Sequence, residues 1–85
     1  MNNQQEQEVL QYLLDAAGAD MSPADLKPEM SLREDLGLDS LAAVALAIEI
    51  EEAFNIAITN EEVAALESVR DVLALIKTKQ RNSAV

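Results

Sequence analysis

The chain has 85 residues, 49% hydrophobic and 2% aromatic, and its 16 acidic and six basic residues give a formal net charge of -10. This length predicts one domain, residues 1–85, with a single core built mostly from Leu, Ile, Val and Ala. The negative field repels nucleic-acid phosphates and anionic lipid surfaces, so we expect neither nucleic acid nor a membrane as a partner. The same acidity is also common in small domains that simply stay soluble.

The sequence contains neither cysteine nor histidine. Disulfides, thiolate metal sites and the Ser-His-Asp or Cys-His arrangements of nucleophilic catalysis are therefore excluded, and we predict no catalytic residue, no metal ligand and no enzyme. The start of the chain lacks a basic segment followed by an apolar one, and no apolar run reaches about 18 residues. We therefore expect a soluble, cytoplasmic protein and a monomer.

A first helix is predicted from residue 4 to about residue 17, and Gly18 is a natural stop for it. Its apolar residues recur at helical spacing: Val9, Leu10, Leu13, Leu14 and Ala17. A long connection follows, about residues 18–38. Within it, Ser22 as N-cap and Pro23 at the first helical position predict one short helical turn. Regularly placed apolar residues predict that the rest is an ordered loop packed onto the core: Leu26, Met30, Leu32, Leu36 and Leu38.

The second helix, about Ser40–Phe54, is apolar on two opposite faces when its residues are projected at about 100° each. A small domain can hardly cover both faces, so we expect one to lie in the core and the other to stay partly exposed. The core stripe is predicted to be Ala43, Leu46, Ala47, Ile50 and Phe54. The opposite stripe is a candidate partner-binding surface formed by Leu41, Val44 and Ile48 and rimmed by Glu51 and Glu52. For Leu41, burial beneath the long loop is equally compatible with the sequence.

Two capping boxes predict the remaining helices. Thr59 with Glu62 opens a short third helix, and Ser68 with Asp71 opens a fourth, followed by a frayed tail over residues 82–85. The inner face of the fourth helix is predicted to be Val69, Val72, Leu73 and Ile76. The fold class is therefore all-α: a small antiparallel four-helix bundle of three main helices and one short helix, with a long first loop.

Ser40 is the strongest candidate for a functional residue. Asp39 before it is a preferred N-cap, and Gly37 permits the tight turn that leads into the helix. A hydroxyl in a first helical turn is suited to carry a phosphodiester, because a helix N-terminus favours phosphate through its free N–H groups and its dipole. A plain Asp-Ser capping pair is the alternative interpretation of the same residues.

The string Asp35-Leu36-Gly37-Leu38-Asp39-Ser40-Leu41 resembles the acyl carrier proteins and the related peptidyl carrier domains. The resemblance is strongest from Leu32 to Ile76. It implies that Ser40 is the attachment serine for 4'-phosphopantetheine, transferred from coenzyme A by a separate phosphopantetheinyl transferase that recognises the neighbouring Asp39 and Leu41.

The resemblance also implies what the arm does. Its thiol would carry acyl groups as thioesters between acyl-transferring and condensing enzymes with basic docking surfaces, in a fatty-acid, polyketide or related pathway. The helix that begins at Ser40 would be the docking helix, and core-lining residues such as Leu46, Ile50 and Ala64 would line space for the acyl chain. This chain has Ala42 and Ala45 where many fatty-acid carriers have acidic residues. The difference favours a dedicated carrier in a polyketide, specialised lipid or mixed peptide pathway.

The alternative, from a different class, is an unmodified helical adaptor that binds a partner protein through the Leu41, Val44 and Ile48 face.

Overall fold

The computed structural model describes residues 3–83, with side chains over residues 4–81. Within that range the fold is all-α, as predicted, and a 3-10 turn, Pro23–Asp25, lies in the long first loop. Three main helices and one short helix follow each other in the order α1 (Asn3–Ala17), α2 (Ser40–Phe54), α3 (Asn60–Ala64) and α4 (Val69–Ser83). None of the described helices is both long and apolar enough to cross a membrane.

Helix α1 forms where its apolar residues recur at helical spacing, and Val9, Leu13 and Leu14 are almost completely buried. The helix ends at Ala17, and Gly18 directly after it takes a left-handed φ of +64°. The next amide, that of Ala19, donates a hydrogen bond back to the Leu14 carbonyl oxygen at 3.1 Å. This left-handed ending confirms the predicted stop and turns the chain into the long loop.

The long loop is ordered and packed down, as predicted. Leu26, Leu32, Leu36 and Leu38 are all buried in the core. Its backbone is also tied to the start of α4, because the Leu32 N–H donates to the Glu67 carbonyl oxygen at 2.9 Å. The N–H of Val69 donates to the Met30 carbonyl oxygen at 3.0 Å in the opposite direction. These bonds form an isolated antiparallel bridge between Ser31 and Ser68 that holds the loop against the bundle.

The two faces of α2 differ in burial in the predicted way. On the inner face Leu46, Ala47 and Ile50 are buried, and Ala43 and Phe54 are half-buried. Side chains on the opposite face are solvent-exposed: Leu41 by 80%, Val44 by 39% and Ile48 by 51%. The long loop therefore does not cover Leu41, which decides between the two alternatives left open by the sequence.

Both predicted capping boxes are present. Thr59 Oγ1 accepts from the Glu62 N–H at 3.1 Å, and Glu62 Oε1 accepts from the Thr59 N–H at 2.9 Å. At the start of α4, Asp71 Oδ2 accepts from the Ser68 N–H at 3.1 Å. Of the predicted inner face of α4, Leu73 is half-buried and the other three residues are buried. Helix α4 continues through Ser83, so the predicted fraying is wrong for residues 82 and 83, and residues 84–85 lie outside the described part.

Candidate functional site

A closed turn delivers the chain to Ser40. Asp35 Oδ2 accepts from the Ser31 N–H at 2.6 Å, and Ser31 Oγ accepts from the Glu34 N–H at 3.1 Å. Gly37 takes a left-handed φ of +70°, with open space where a Cβ would lie. Glycine is therefore favoured at position 37 by the left-handed backbone conformation, and not by a lack of space for a side chain. The two hydrogen bonds within residues 31–35 hold the turn that leads to Ser40 in one conformation.

Asp39 is the N-cap of α2, as the sequence predicts. Its backbone is extended, and its Oδ1 accepts from the Ala42 N–H at 2.8 Å. The Asp39 carbonyl oxygen accepts from the Ala43 N–H at 2.9 Å, which completes the first turn. The carboxylate is thus occupied by the helix end. Ser40 becomes the first residue of the helix, is exposed, and makes no side-chain hydrogen bond to any residue between 4 and 81.

A groove of about 430 Å³ lies beside Ser40, between the closed turn, the first turns of α2 and α3. Its apolar lining comes from Leu32, Leu38, Ala43, Val44, Val63, Ala64 and Leu66. Its polar lining comes from Ser31, Arg33, Glu34, Asp39, Ser40, Asn60 and Glu67. A groove of this volume is in the range that binds small organic groups.

Helix α3 forms one wall of this groove and is held by a polar contact to α4. Lys79 Nζ lies 2.9 Å from Glu62 Oε1. The hydrogen bond from the Thr59 backbone N–H and, after it, the Lys79 ammonium hold the pKa of Glu62 below its ordinary value. Glu62 therefore both caps α3 and links it to α4.

The outer face of α2, by which we mean Leu41, Val44, Ala45 and Ile48, begins directly beside Ser40. Its predicted acidic rim is divided. Glu52 is exposed one turn beyond Ile48, whereas Glu51 is half-buried and its Oε2 accepts from the Ile58 N–H at 3.1 Å. Glu51 thus stabilises the link between α2 and α3 and offers less free charge than its sequence position suggests.

The three residues predicted to line space for an acyl chain do not lie together. Leu46 and Ile50 line an internal cavity of only about 20 Å³. Ala64 is exposed and lines the outer groove. Its placement with the core was wrong, because the five-residue α3 turns Val63 inward instead. Leu32, Leu38, Ala43 and Leu66 line both spaces and separate the groove from the cavity.

Sequence reasoning missed the groove itself and polar residues that reach it from outside α2, among them Arg33, Asn60 and Glu67. No local pattern marks them, because the bridge between Ser31 and Ser68 is what brings the loop close to α3. Within the described residues, no three acidic side chains lie close enough together to hold a metal ion.

Comparisons with known proteins bear on this site. The family model for the phosphopantetheine attachment site matches residues 7–76. An acyl carrier protein of Nitratidesulfovibrio vulgaris is 37% identical over 75 residues, which cover 88% of this chain and 96% of the relative. A meromycolate extension acyl carrier protein of Mycobacterium tuberculosis is 37% identical over 57 residues, covering 67% of this chain and 50% of the relative.

Solved structures show the same fold. The acetyl actinorhodin acyl carrier protein of Streptomyces coelicolor superposes with a TM-score of 0.71 at 26% identity, covering 92% of this chain and 93% of the other. An acyl carrier protein of Thermotoga maritima gives a TM-score of 0.76 at 20% identity, covering 98% and 99% of the two chains.

Proposed function

Because the chain belongs to the acyl carrier proteins, a family of phosphopantetheine-binding carriers and not of enzymes, we propose that Ser40 carries the 4'-phosphopantetheine cofactor. The observation that supports this most directly is the setting of the hydroxyl. Ser40 is exposed at the first residue of α2 and leaves its side chain free of hydrogen bonds to residues 4–81. A group joined to its oxygen would lie at the mouth of the 430 Å³ groove.

The attachment exchanges one phosphorus–oxygen bond for another. Ser40 Oγ bonds to the phosphorus of coenzyme A that bears the pantetheine, and the pyrophosphate bond breaks with 3',5'-ADP leaving with the electron pair. We assign the hydroxyl proton to a base on the transferase, because the chain has no histidine and Asp39 Oδ1 already accepts from the Ala42 N–H. Ser40 is thus the group that is modified, and the catalysis belongs to the partner.

The groove is the best candidate for the arm and its acyl group. At about 430 Å³ it can take up a small organic chain, whereas the internal cavity beside Leu46 and Ile50 holds only about 20 Å³. An acyl chain that entered the core would have to displace the wall of Leu38, Ala43 and Leu66. We therefore propose that short acyl groups stay in the groove and that long ones require this wall to open.

The partners follow from what surrounds Ser40. A phosphopantetheinyl transferase and the enzymes that act on the thioester must all approach this serine, so their surfaces meet Leu41 and Val44. Helix α2 carries no acidic residue before Glu49. Acyl-transferring and condensing enzymes with basic docking surfaces would therefore find their acidic contacts at Glu49 and Glu52, at the far end of an apolar face.

This distribution of charge supports a dedicated carrier in a fatty-acid, polyketide or related pathway. Among the relatives, one is named for meromycolate extension and one for actinorhodin. The pathway of this chain, its cytoplasmic location, its monomeric state and its organisation as a single domain stay predictions.

The test is enzymatic loading followed by intact-mass measurement. The purified chain is incubated with coenzyme A, magnesium and a broad-specificity phosphopantetheinyl transferase. We expect the wild type to gain the mass of one phosphopantetheine and Ser40→Ala to gain none. Ser22→Ala is the matched control, since Ser22 is also exposed but lies in the long loop. An unchanged wild-type mass, or an equal gain in Ser40→Ala, would contradict the proposal.

The second candidate function, an unmodified adaptor, rests on the exposure of Leu41, Val44 and Ile48. It predicts partner binding that survives Ser40→Ala and needs no thiol. The carrier predicts that transfer chemistry is lost in the same variant, so one substitution separates the two functions.

A further inference from the structure

The groove beside Ser40 is acidic, with one exception. Glu34, Asp39 and Glu67 bring carboxylates to it, and Arg33 is the one cation among its lining residues in the described part of the chain. From residue 34 to residue 69 the sequence contains no Lys or Arg at all. Arg33 is therefore an isolated positive charge at the mouth of a negatively charged groove.

Arg33 also lacks an intramolecular counter-ion. Over residues 4–81 the one ion pair joins Lys79 to Glu62, and Arg33 takes part in none. Glu34, the adjacent residue, forms no ion pair with Arg33. Asp35 accepts from the Ser31 N–H and Asp39 accepts from the Ala42 N–H. The guanidinium is thus available to an external anion.

The backbone presents Arg33 in a fixed place. Leu32 before it is buried and donates its N–H to the Glu67 carbonyl oxygen at 2.9 Å. Glu34 after it donates its N–H to Ser31 Oγ at 3.1 Å. Because both neighbours are held, binding an anion here would order only the Arg33 side chain.

We propose that Arg33 binds an anionic oxygen group carried by the arm on Ser40. The proposal rests on the proposed attachment at Ser40. A guanidinium offers paired N–H donors that match the oxygens of a phosphate or a carboxylate. Two such groups come with a loaded carrier: the phosphodiester, which is bonded directly to Ser40 Oγ, and the carboxylate of an acyl group derived from a dicarboxylic acid. Arg33 would then offset the repulsion that Glu34, Asp39 and Glu67 exert on either anion.

The test follows the Arg33 side chain by nitrogen-15 NMR as the arm is attached. The transferase is supplied with coenzyme A, acetyl-coenzyme A or malonyl-coenzyme A, so that the three products differ only in the group on the thiol. We expect the Arg33 Nε–Hε resonance to shift between the unmodified and loaded forms. Arg70 is the matched control, because it is exposed and does not line the groove.

The loading arms identify the anion. A shift with all three donors assigns the phosphodiester, and a shift with the malonyl form alone assigns the carboxylate of the acyl group. The shift should shrink at about 1 M salt, where the Debye length falls to about 3 Å. The resonance of the assigned group, phosphorus-31 for the phosphodiester or carbon-13 for the carboxylate, should move in Arg33→Gln relative to the wild type. It should move less in Arg33→Lys, which keeps the positive charge, and should not move in Arg70→Gln.

Intact-mass measurement distinguishes a failure of the proposed attachment at Ser40 from a failure of the proposed role of Arg33. A chain that gains no phosphopantetheine overturns both the attachment at Ser40 and the role of Arg33. A chain that gains the full mass but shows no Arg33 shift in any loaded form, or shows an equal shift at Arg70, overturns the role of Arg33 alone.

Discussion

The inner and outer faces of α2 are built from the same kinds of side chain but meet opposite environments. Ile50 on the inner face is 2% exposed, and Ile48 on the outer face is 51% exposed. Burying a side chain of this type stabilises a fold by roughly 1.5 to 3 kcal/mol. The outer face leaves most of that stabilisation unused at Leu41 and part of it at Val44 and Ile48. The exposure of this face beside Ser40 is what the proposed docking of partner enzymes requires.

The largest expected effect is a difference in stability between the two faces. Ile50→Ala should lower the free energy of unfolding by about 2–5 kcal/mol, because it leaves a cavity in the core. Ile48→Ala removes the same atoms from a half-exposed position and should change it by roughly 0.5 kcal/mol. Urea denaturation followed by circular dichroism measures both. Equal losses in the two variants would show that the faces do not differ in the way the structure describes.

The next largest effect is on the rate of loading by the transferase, where a residue of the outer face should matter although it adds little to stability. Leu41→Ala should leave the free energy of unfolding nearly unchanged, because Leu41 is 80% exposed. It should lower kcat/KM for loading by the transferase about tenfold, equivalent to about 1.4 kcal/mol of lost contact. Ile48→Ala is the control, because Ile48 lies about 10 Å farther along the helix at about 1.5 Å per residue. A loading rate that responds to neither residue would argue against docking of the transferase on the outer face.

The two faces were predictable because local rules govern them. The helical period separates Ile50 from Ile48, and capping chemistry places the start of α2 at Ser40 directly after Asp39. Both signals are contained in a few neighbouring residues, so the sequence alone predicts them correctly. The capping box of Thr59 was predictable for the same reason.

The groove was not predictable in the same way, because contacts between distant segments form it. The bridge between Ser31 and Ser68 brings the long loop to α4 and α3, and no local period encodes that pairing. Glu51 likewise accepts a hydrogen bond from the N–H of Ile58, seven residues farther along the chain. This contact draws in a side chain that the sequence predicted at the rim of the exposed face. Arg33 became a candidate only when its neighbours in the groove were known.

Asp39 affects both faces of α2, because it is the N-cap of the helix that carries them. Asp39→Ala should cost about 1 kcal/mol of stability, within a range of about 0.5–2, because the Ala42 N–H loses its acceptor. For a domain of this size that lowers Tm by about 4–8 °C. Asp39→Asn is the matched control, because the amide oxygen still accepts from Ala42 while the charge is removed. If Asp39→Asn keeps the stability and loses the loading rate, the charge serves the transferase and not the helix.

The smallest effect concerns α3, which borders the groove opposite α2 and is held by polar contacts. The Thr59 backbone N–H and the Lys79 ammonium hold the pKa of Glu62 below its ordinary value of 4.5. A carboxyl whose pKa is lowered by folding stabilises the fold above its unfolded pKa, and this contribution is lost as the pH falls through the folded value. The wild type should therefore lose stability relative to Glu62→Gln as the pH drops below 4.5.

The glutamine of Glu62→Gln can still accept from the Thr59 N–H but does not titrate, so the difference between the two proteins isolates this one carboxylate from the other acids. Lys79→Met sharpens the test: it should raise the pKa of Glu62 toward 4.5 without reaching it, because the hydrogen bond from Thr59 remains. Carbon-13 NMR titration of the Glu62 carboxyl measures its pKa in the wild type and in Lys79→Met. A wild-type pKa at or above 4.5, or a stability difference that does not vary with pH, would mean that the charged form of Glu62 does not help to hold α3 in place.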